Sequence, residues 1–206
     1  MSGTAGQESD ANAPLGVRLF AVRHAPTPGQ GLCVGDADLP SAMSAEEAAA
    51  RMQALVAGYA FTSVWSSPRS RCLGPARVLA GQLGLPLQVD ERLREISLGI
   101  WQGQSWDAIE AGDSARFRDW LSHWIDKAPP GGESTTDLVL RLGSWWRELC
   151  CGCHLLVAHA GVMRGLRVLL HGDSWPEAMR APVPHLHGQW FSAAVARRPE
   201  HPGLSQ

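Results

Sequence analysis

Val17-Arg18-Leu19-Phe20-Ala21-Val22-Arg23-His24 is a short β-branched and aromatic run that stops at an Arg-His pair and enters the loop Pro26-Thr27-Pro28-Gly29. This is the profile of a buried strand that delivers polar residues at its end. Outward from it, Ser44 followed three residues later by Glu47 predicts a helix opened by a capping box, with Met52, Leu55, Val56 and Tyr59 on one face. A second strand is expected over residues 62–66, and after Pro68 a helix through Ala76, Leu79, Ala80 and Leu83, closed by Gly84 and Pro86. Residues 155–158 read as a further buried strand ending at His159-Ala160-Gly161, followed by an apolar helix over 162–170 that Gly172 stops. Residues 87–89 and 189–195 read as shorter strands. Strands alternating with helices predict an α/β fold, a three-layer sandwich with a mostly parallel central sheet covered on both faces.

The 206 residues are 45% hydrophobic and 18% charged, enough for one globular domain that needs no covalent staples. That domain is expected over residues 16–196, between tails at 1–15 and 197–206. Phe117, Leu121 and Trp124, then Leu138, Leu142, Trp145 and Leu149, predict two helices flanking Pro129-Pro130-Gly131-Gly132, a cap over about 104–150. Eighteen Lys and Arg against 20 Asp and Glu give a net charge of -2, which speaks against a nucleic-acid footprint or a polybasic membrane patch. Five cysteines, an odd number, suit a reducing compartment, so a cytoplasmic location is expected. No signal-peptide core and no apolar run of transmembrane length is present in the sequence.

In an open α/β sheet ligands bind at the carboxyl ends of the strands, so residues immediately after a strand carry the functional reading. Here they are Arg23 and His24, then Arg71 just past Ser66-Ser67-Pro68, then His159. Guanidinium groups repel a divalent cation, and no carboxylate joins either His at metal-ligand spacing, so neither a metal nor another cofactor is expected. Arginine forks match phosphate oxygens in pairs, and backbone donors near Gly161, at a helix start, favour the same anion. A histidine among arginines is held neutral and nucleophilic, and attack on phosphorus would give a phosphohistidine. A carboxylic acid beside a phosphate dianion keeps its proton more tightly and can give it to the leaving alkoxide. Glu95 is the first candidate for that acid, and on chemistry alone Glu91 is nearly as eligible.

Five segments taken together resemble a known family. Val22-Arg23-His24-Ala25 is similar to the Arg-His-Gly signature of the histidine phosphatase superfamily, whose founding members are phosphoglycerate mutases. Ser66-Ser67-Pro68-Arg69-Ser70-Arg71 resembles its Ser-Ser-Pro-Leu-x-Arg segment, and residues 94–103 resemble Arg-Glu-x-x-Phe-Gly-x-Trp-Glu-Gly. Pro130-Gly131-Gly132-Glu133-Ser134 and Ala158-His159-Ala160-Gly161 complete the order. The resemblance implies a phosphoglycerate mutase-like fold, His24 as nucleophile, Arg23, Arg71 and His159 as a phosphate pocket, and Glu95 as proton donor. Within the superfamily, residues 31–40 and the Pro-Gly-Gly-Glu-Ser segment look like the bacterial alpha-ribazole phosphatase group of cobalamin biosynthesis. The expected partner is a small-molecule phosphate ester, and a homodimer stays open. The competing readings are a mutase-type phosphoryl transferase and a non-catalytic phosphate-binding module.

Departures from the pattern fall at four places. Ala25 replaces a Gly and is tolerable only where the backbone needs no positive φ. Arg69 stands for Leu, adding a charge that would extend anion recognition. Gln102 stands for Glu, and Asp36 stands where Arg is common in the alpha-ribazole group. Thr27 is an even choice between a phosphate donor and a loop brace, and Gln30 is read as solvent-exposed. Cys150, Cys151 and Cys153 beside His154 read as packing ahead of metal ligation. Among the aromatics, Trp120 and Trp124 read as packing on a helix face, leaving Trp101 and Trp106 as lining candidates.

Overall fold

A computed structural model describes residues 16–29 and 31–193. The tails expected at 1–15 and 197–206, the exposure expected for Gln30, and the last two positions of the strand expected over 189–195 lie outside the described residues.

Five strands form one sheet: β1 (Val17–Arg23), β2 (Ser63–Ser66), β3 (Leu87–Val89), β4 (Gly152–Ala158) and β5 (Gly188–Ala193), in the order β3-β2-β4-β1-β5. β1 runs parallel to β4 from Val17 opposite Gly152 to Arg23 opposite Ala158, and β2 is parallel to both β3 and β4. Only β5 is antiparallel, paired to β1. Seven α-helices connect them: α1 (Ala45–Val56), α2 (Ser70–Leu83), α3 (Trp106–Gly112), α4 (Ser114–His123), α5 (Thr135–Glu148), α6 (Ala160–Leu166) and α7 (Trp175–Arg180). None of the helices among the described residues is long and apolar enough to cross a membrane.

Side chains alternate across a strand, and here both sets are apolar. Leu19, Ala21, Leu156 and Ala158 join Leu138, Leu142, Trp145, Val162 and Leu166 from α5 and α6 on one face. Phe20, Val22, Leu155 and Val157 join Ala49, Met52, Val56, Ala76 and Leu79 from α1 and α2 on the other. This is the expected three-layer sandwich, and burial on both faces is why these strands read as unbroken apolar runs. A third, smaller cluster holds Cys33, Trp101, Ile109 and Phe117 together around α3 and α4.

Several local expectations are corrected. The buried stripe of α1 is Ala48, Ala49, Met52 and Val56, with Leu55 inside the helix 36% exposed; Tyr59 is 52% exposed, beyond the helix end at Val56, where Gly58 turns the chain at φ +86°. Ser44 accepts the Glu47 N–H, but the Glu47 carboxylate reaches forward to Arg51 and closes no box with Ser44. The helix after β4 starts at Ala160, with His159 as its N-cap, and passes into a π-helical turn at Arg167–His171. α5 is a helix of the sandwich: its stripe packs on the sheet, and the structure standing off the sheet is α3 and α4.

Two of the family-like segments exist to hold each other. Ile100 donates to the Pro130 carbonyl and Glu133 to that of Ser97, so residues 97–100 lie directly on 130–133. At Gly99, φ is +56° and an added Cβ would come within 2.0 Å of the Pro130 oxygen. Gly99→Ala is therefore expected to lower stability by about 3 kcal/mol, through left-handed strain and a backbone clash, read as a lower urea midpoint at constant m-value. An undiminished midpoint would mean that this contact is not tight in solution.

Candidate active site

β1 feeds α1 on one face of the sheet, while its neighbour β4 feeds α6 on the opposite face. Connections that diverge in this way open a crevice beyond the strand ends. A cavity of about 490 Å³ lies there, lined by Arg23, His24, Thr27, Arg71, Glu95 and His185 among others. Residues distant in sequence thus converge because parallel strands end at a common edge.

His24 is 6% exposed, and its Nδ1 lies 2.6 Å from the Ala25 carbonyl oxygen. A carbonyl only accepts, so Nδ1 carries the hydrogen and Nε2 of the neutral ring keeps a lone pair. Burial, opposed by that hydrogen bond and aided by the charges of Arg71, His185 and Arg23, holds the ring's pKa down at about 3. The sequence reading put the arginines first as the cause, whereas desolvation is the larger one. Ala25 is compatible with the turn: Leu186 is the one non-Gly residue with positive φ among the described residues.

Arg23 and Arg71 border the cavity, each with a buried Nε–H that meets no acceptor. Leaving a buried donor unpaired costs about 1–3 kcal/mol, so two such guanidinium donors beside one cavity suit an anion. The rest of each fork is braced on the protein. Arg23 Nη1 donates to the Val183 carbonyl at 2.6 Å, and Arg71 donates to Ala37 at 2.6 Å and to Gly35 at 3.1 Å. Thr27 lines the same cavity.

His159 stands behind His24, fully buried, with ring centroids 5.1 Å apart and its Nε2 2.8 Å from Ser67 Oγ. It supports the His24 side of the site and does not line the cavity. Burial and the Arg71 charge keep it well below the usual histidine range, while burial pushes the adjacent Cys72 thiol up and keeps it protonated. Gly161 is placed differently from the reading that gave it to the phosphate: its N–H donates to Glu95 Oε2 at 3.1 Å, and it lines an adjoining chamber. Glu95 Oε1 accepts from Ile96 at 3.0 Å, so the carboxylate is fixed at both oxygens. Of the two carboxylates, Glu95 lines the cavity, whereas the Glu91 side chain is 71% exposed and paired with Arg94.

The departures at Asp36 and Arg69 explain each other. The two side chains form a two-pronged ion pair, with Arg69 Nε 2.6 Å from Asp36 Oδ1. Arg69 is therefore neutralised by Asp36, contrary to the expectation that it extends anion recognition. Ser70 donates twice to Asp38, and Arg71 bonds Gly35 and Ala37, so three consecutive residues at the start of α2 anchor residues 35–38. Gln102 Oε1 accepts from both Asp36 and Leu98, a bond that needs only the oxygen a Glu would also have.

His185 was missed in the sequence. Its ring centroid is 5.2 Å from that of His24 and its Nδ1 donates to the His24 carbonyl at 2.9 Å. The available signal was its place just before β5: an antiparallel strand begins at the edge where its parallel neighbours end. Trp106 lines the chamber as expected, whereas Trp101 is core, 2% exposed; Trp120 packs on Trp101 and Phe117 as expected but also lines the chamber, and Trp124 lines it against expectation. His154 uses Nδ1 on Ser63 and Nε2 on the Cys150 carbonyl, and no group of three metal-ligating side chains occurs among the described residues.

His24, His159 and His185 are all held below the ordinary histidine pKa of 6.5, chiefly by burial. Between about pH 6.5 and, for His24, about pH 3, the unfolded chain binds more protons than the folded one. Stability therefore rises with pH across this window and falls on acidification. From about pH 7.5 to about pH 5 the loss should be roughly 2 kcal/mol from His24 alone, with His159 and His185 adding in the same direction, measurable as a falling urea midpoint. A flat midpoint would mean that these rings are charged in the folded protein.

Comparison with known proteins agrees with this geometry. The sequence profile of the Histidine phosphatase superfamily (branch 1) matches residues 19–191. Two curated relatives, 34% and 32% identical, are matched over 55% and 66% of their own lengths. The second is the glucosyl-3-phosphoglycerate phosphatase of Mycolicibacterium vanbaalenii, aligned over 69% of this chain. The adenosylcobalamin/alpha-ribazole phosphatase of Escherichia coli is 27% identical over 76% of this chain and 80% of its own. The crystal structure of the alpha-ribazole phosphatase from Shigella flexneri superposes with a TM-score of 0.74 over 86% of this chain and 94% of that one, at 22% identity. A profile match spanning the sheet from β1 to β5, on a fold that brings Arg23, His24 and Arg71 to one cavity, places this chain in the histidine phosphatase superfamily, branch 1.

Proposed function

We propose that the protein is a phosphomonoesterase that works through a phosphohistidine and needs no metal. The observation that carries this reading is a neutral, Nδ1-anchored His24 sharing a cavity with two arginines whose buried Nε–H groups lack acceptors. The phosphate dianion binds between Arg23 and Arg71, with Thr27 and His185 at the wall and His159 behind the nucleophile. His24 Nε2 attacks phosphorus, the P–O bond to the alcohol breaks, and Glu95 gives its proton to the leaving oxygen. Water, losing a proton to Glu95, then attacks the phosphohistidine, releasing inorganic phosphate and restoring both groups.

The likeness to the adenosylcobalamin/alpha-ribazole phosphatase of E. coli favours alpha-ribazole 5'-phosphate as substrate, which would place the enzyme in cobalamin biosynthesis. The test is a rapid acid-free quench during turnover in EDTA. Phosphate bound to His24, labile in acid and stable in base, is expected, and its absence under conditions of full turnover would overturn the covalent route.

A further inference from the structure

Leu186 adopts φ +55°, a left-handed conformation that strains any side chain with a Cβ. Such strain persists where surrounding contacts fix it, and it gathers at ligand sites. Here Leu186 donates to the Arg23 carbonyl at 3.0 Å, and Arg23 donates to the His187 carbonyl at 3.1 Å, so the end of β1 pairs with the residues just before β5. On the other side of the Leu186 turn, His185 crosses the strand end and donates from Nδ1 to the His24 carbonyl at 2.9 Å. Its ring stands edge-on to the His24 ring, with centroids 5.2 Å apart.

Because a carbonyl only accepts, Nδ1 of His185 carries the hydrogen and Nε2 of the neutral ring keeps a lone pair. The ring lines the phosphate cavity, and its Nε2 is open to solvent, with no hydrogen-bond partner among the described residues. His159, which the resemblance gives to the phosphate, has both nitrogens engaged elsewhere: Nε2 on Ser67 Oγ at 2.8 Å and Nδ1 beside Cys72 Sγ at 3.8 Å. Besides His24, the imidazole nitrogen available to a bound anion is therefore that of His185.

The charged groups that share the cavity wall with His185 are Arg23, Arg71 and Glu95, with His24 neutral between them. Burial holds the free ring below the ordinary histidine range, the bond to His24 opposes this, and the Arg23 charge adds to it. A bound dianion cancels the influence of Arg23. It also presents an oxygen that the Nε2 lone pair would repel and an Nε2–H would bond.

We propose that His185 is a third phosphate ligand, which takes up a proton at Nε2 as the dianion enters and holds a phosphate oxygen through that N–H. The proton comes from solvent and returns there when inorganic phosphate leaves. The inference rests on the dianion site of the phosphomonoesterase reading and adds to it a ligand that is charged only while the site is filled. By linkage, anion affinity falls as pH rises wherever the free ring is neutral and the bound ring charged.

Sulfate is the probe, a tetrahedral dianion that does not itself titrate near neutrality. Glu95 also keeps a proton beside an anion, so the measurement is made on Glu95→Gln. Calorimetry in buffers of different ionisation enthalpy counts the protons bound with each sulfate. An uptake of about half a proton or more is expected at about pH 6.5, with affinity falling about three- to tenfold by about pH 7.5. Adding His185→Asn, which keeps a donor for the His24 carbonyl and cannot titrate, should abolish the uptake and flatten the pH dependence. Nitrogen spectra of Glu95→Gln itself, with no change at His185, should show the His185 Nε2 passing from unprotonated to protonated on saturation with sulfate. A merely structural His185 would leave both readouts unmoved. Sulfate bound without uptake, uptake that survives His185→Asn, or an unprotonated Nε2 in the complex would each overturn the proposal. Sulfate that fails to bind would remove the anion site and the proposal with it. Native protein that is inert toward phosphate esters, while Glu95→Gln still takes up the proton with sulfate, would sink the phosphatase reading alone and support this one.

Discussion

Replacing His24 by Ala is expected to lower kcat by on the order of 10⁵ or more, a loss of the size seen when a covalent nucleophile is removed. The substitution deletes the only group in the proposed scheme that bonds to phosphorus. The anion site should outlast it, because Arg23 and Arg71 are braced independently, on Val183 and on Gly35 and Ala37. Calorimetric titration with inorganic phosphate should therefore still show binding to His24→Ala. Fold retention is expected too: the ring is neutral, and it makes one hydrogen bond, to the adjacent Ala25 carbonyl, and edge-on contacts with His159 behind it and with His185 at the cavity wall. Turnover that persists in the variant would assign nucleophilic attack to another group. Turnover and phosphate binding lost together, in a folded protein, would show that His24 holds the anion site together as well as reacting in it.

The second large effect concerns Glu95, and its signature is a dependence on the leaving group. Glu95→Gln removes the proton donor, which should slow alkyl phosphates by about 10²–10⁴. Esters of acidic phenols depart without a proton, so their rates should fall far less. Gly161→Ala ought to imitate this pattern from outside the carboxylate. An added Cβ would lie 2.1 Å from Glu95 Oε1 and 3.1 Å from its Cδ, so the acid must move out of position. The measurement is a plot of log kcat/KM against leaving-group pKa, which should be shallow for the native protein and steeper for both variants. Equal losses across the series would assign Glu95 to binding the phosphate.

Much of this was legible in the chain. β1 and β4 announced themselves as apolar runs because neighbours cover both faces, and their ends located His24 and His159 without further information. What stayed hidden depended on partners from elsewhere. The Ala48-Ala49 stripe of α1 gives a weak pattern beside larger residues, so Leu55 and Tyr59 drew attention that burial did not support. The direction of α5 follows from packing on the sheet, and no periodicity within the helix distinguishes a cap from a layer. His185 lies in a loop whose placement depends on β5 being antiparallel. Trp124 was misread because α4 ends at His123, leaving that indole beyond the helical face that the spacing implied.

The bond between Asp36 and Arg69 constrains how this sequence can change. Alter Asp36 and Arg69 loses its ion-pair partner; alter Arg69 and Asp36 keeps only Arg94, 3.7 Å away, and either change falls on the short segment that steadies Arg71. Asp36→Arg would set guanidinium groups against one another, and Arg69→Leu would leave the carboxylate with the more distant of its two partners. Any evolutionary or engineered route between this chain and relatives with Arg at the first position and Leu at the second must make both changes nearly together, so trials of single exchanges would underrate a pairing that works well.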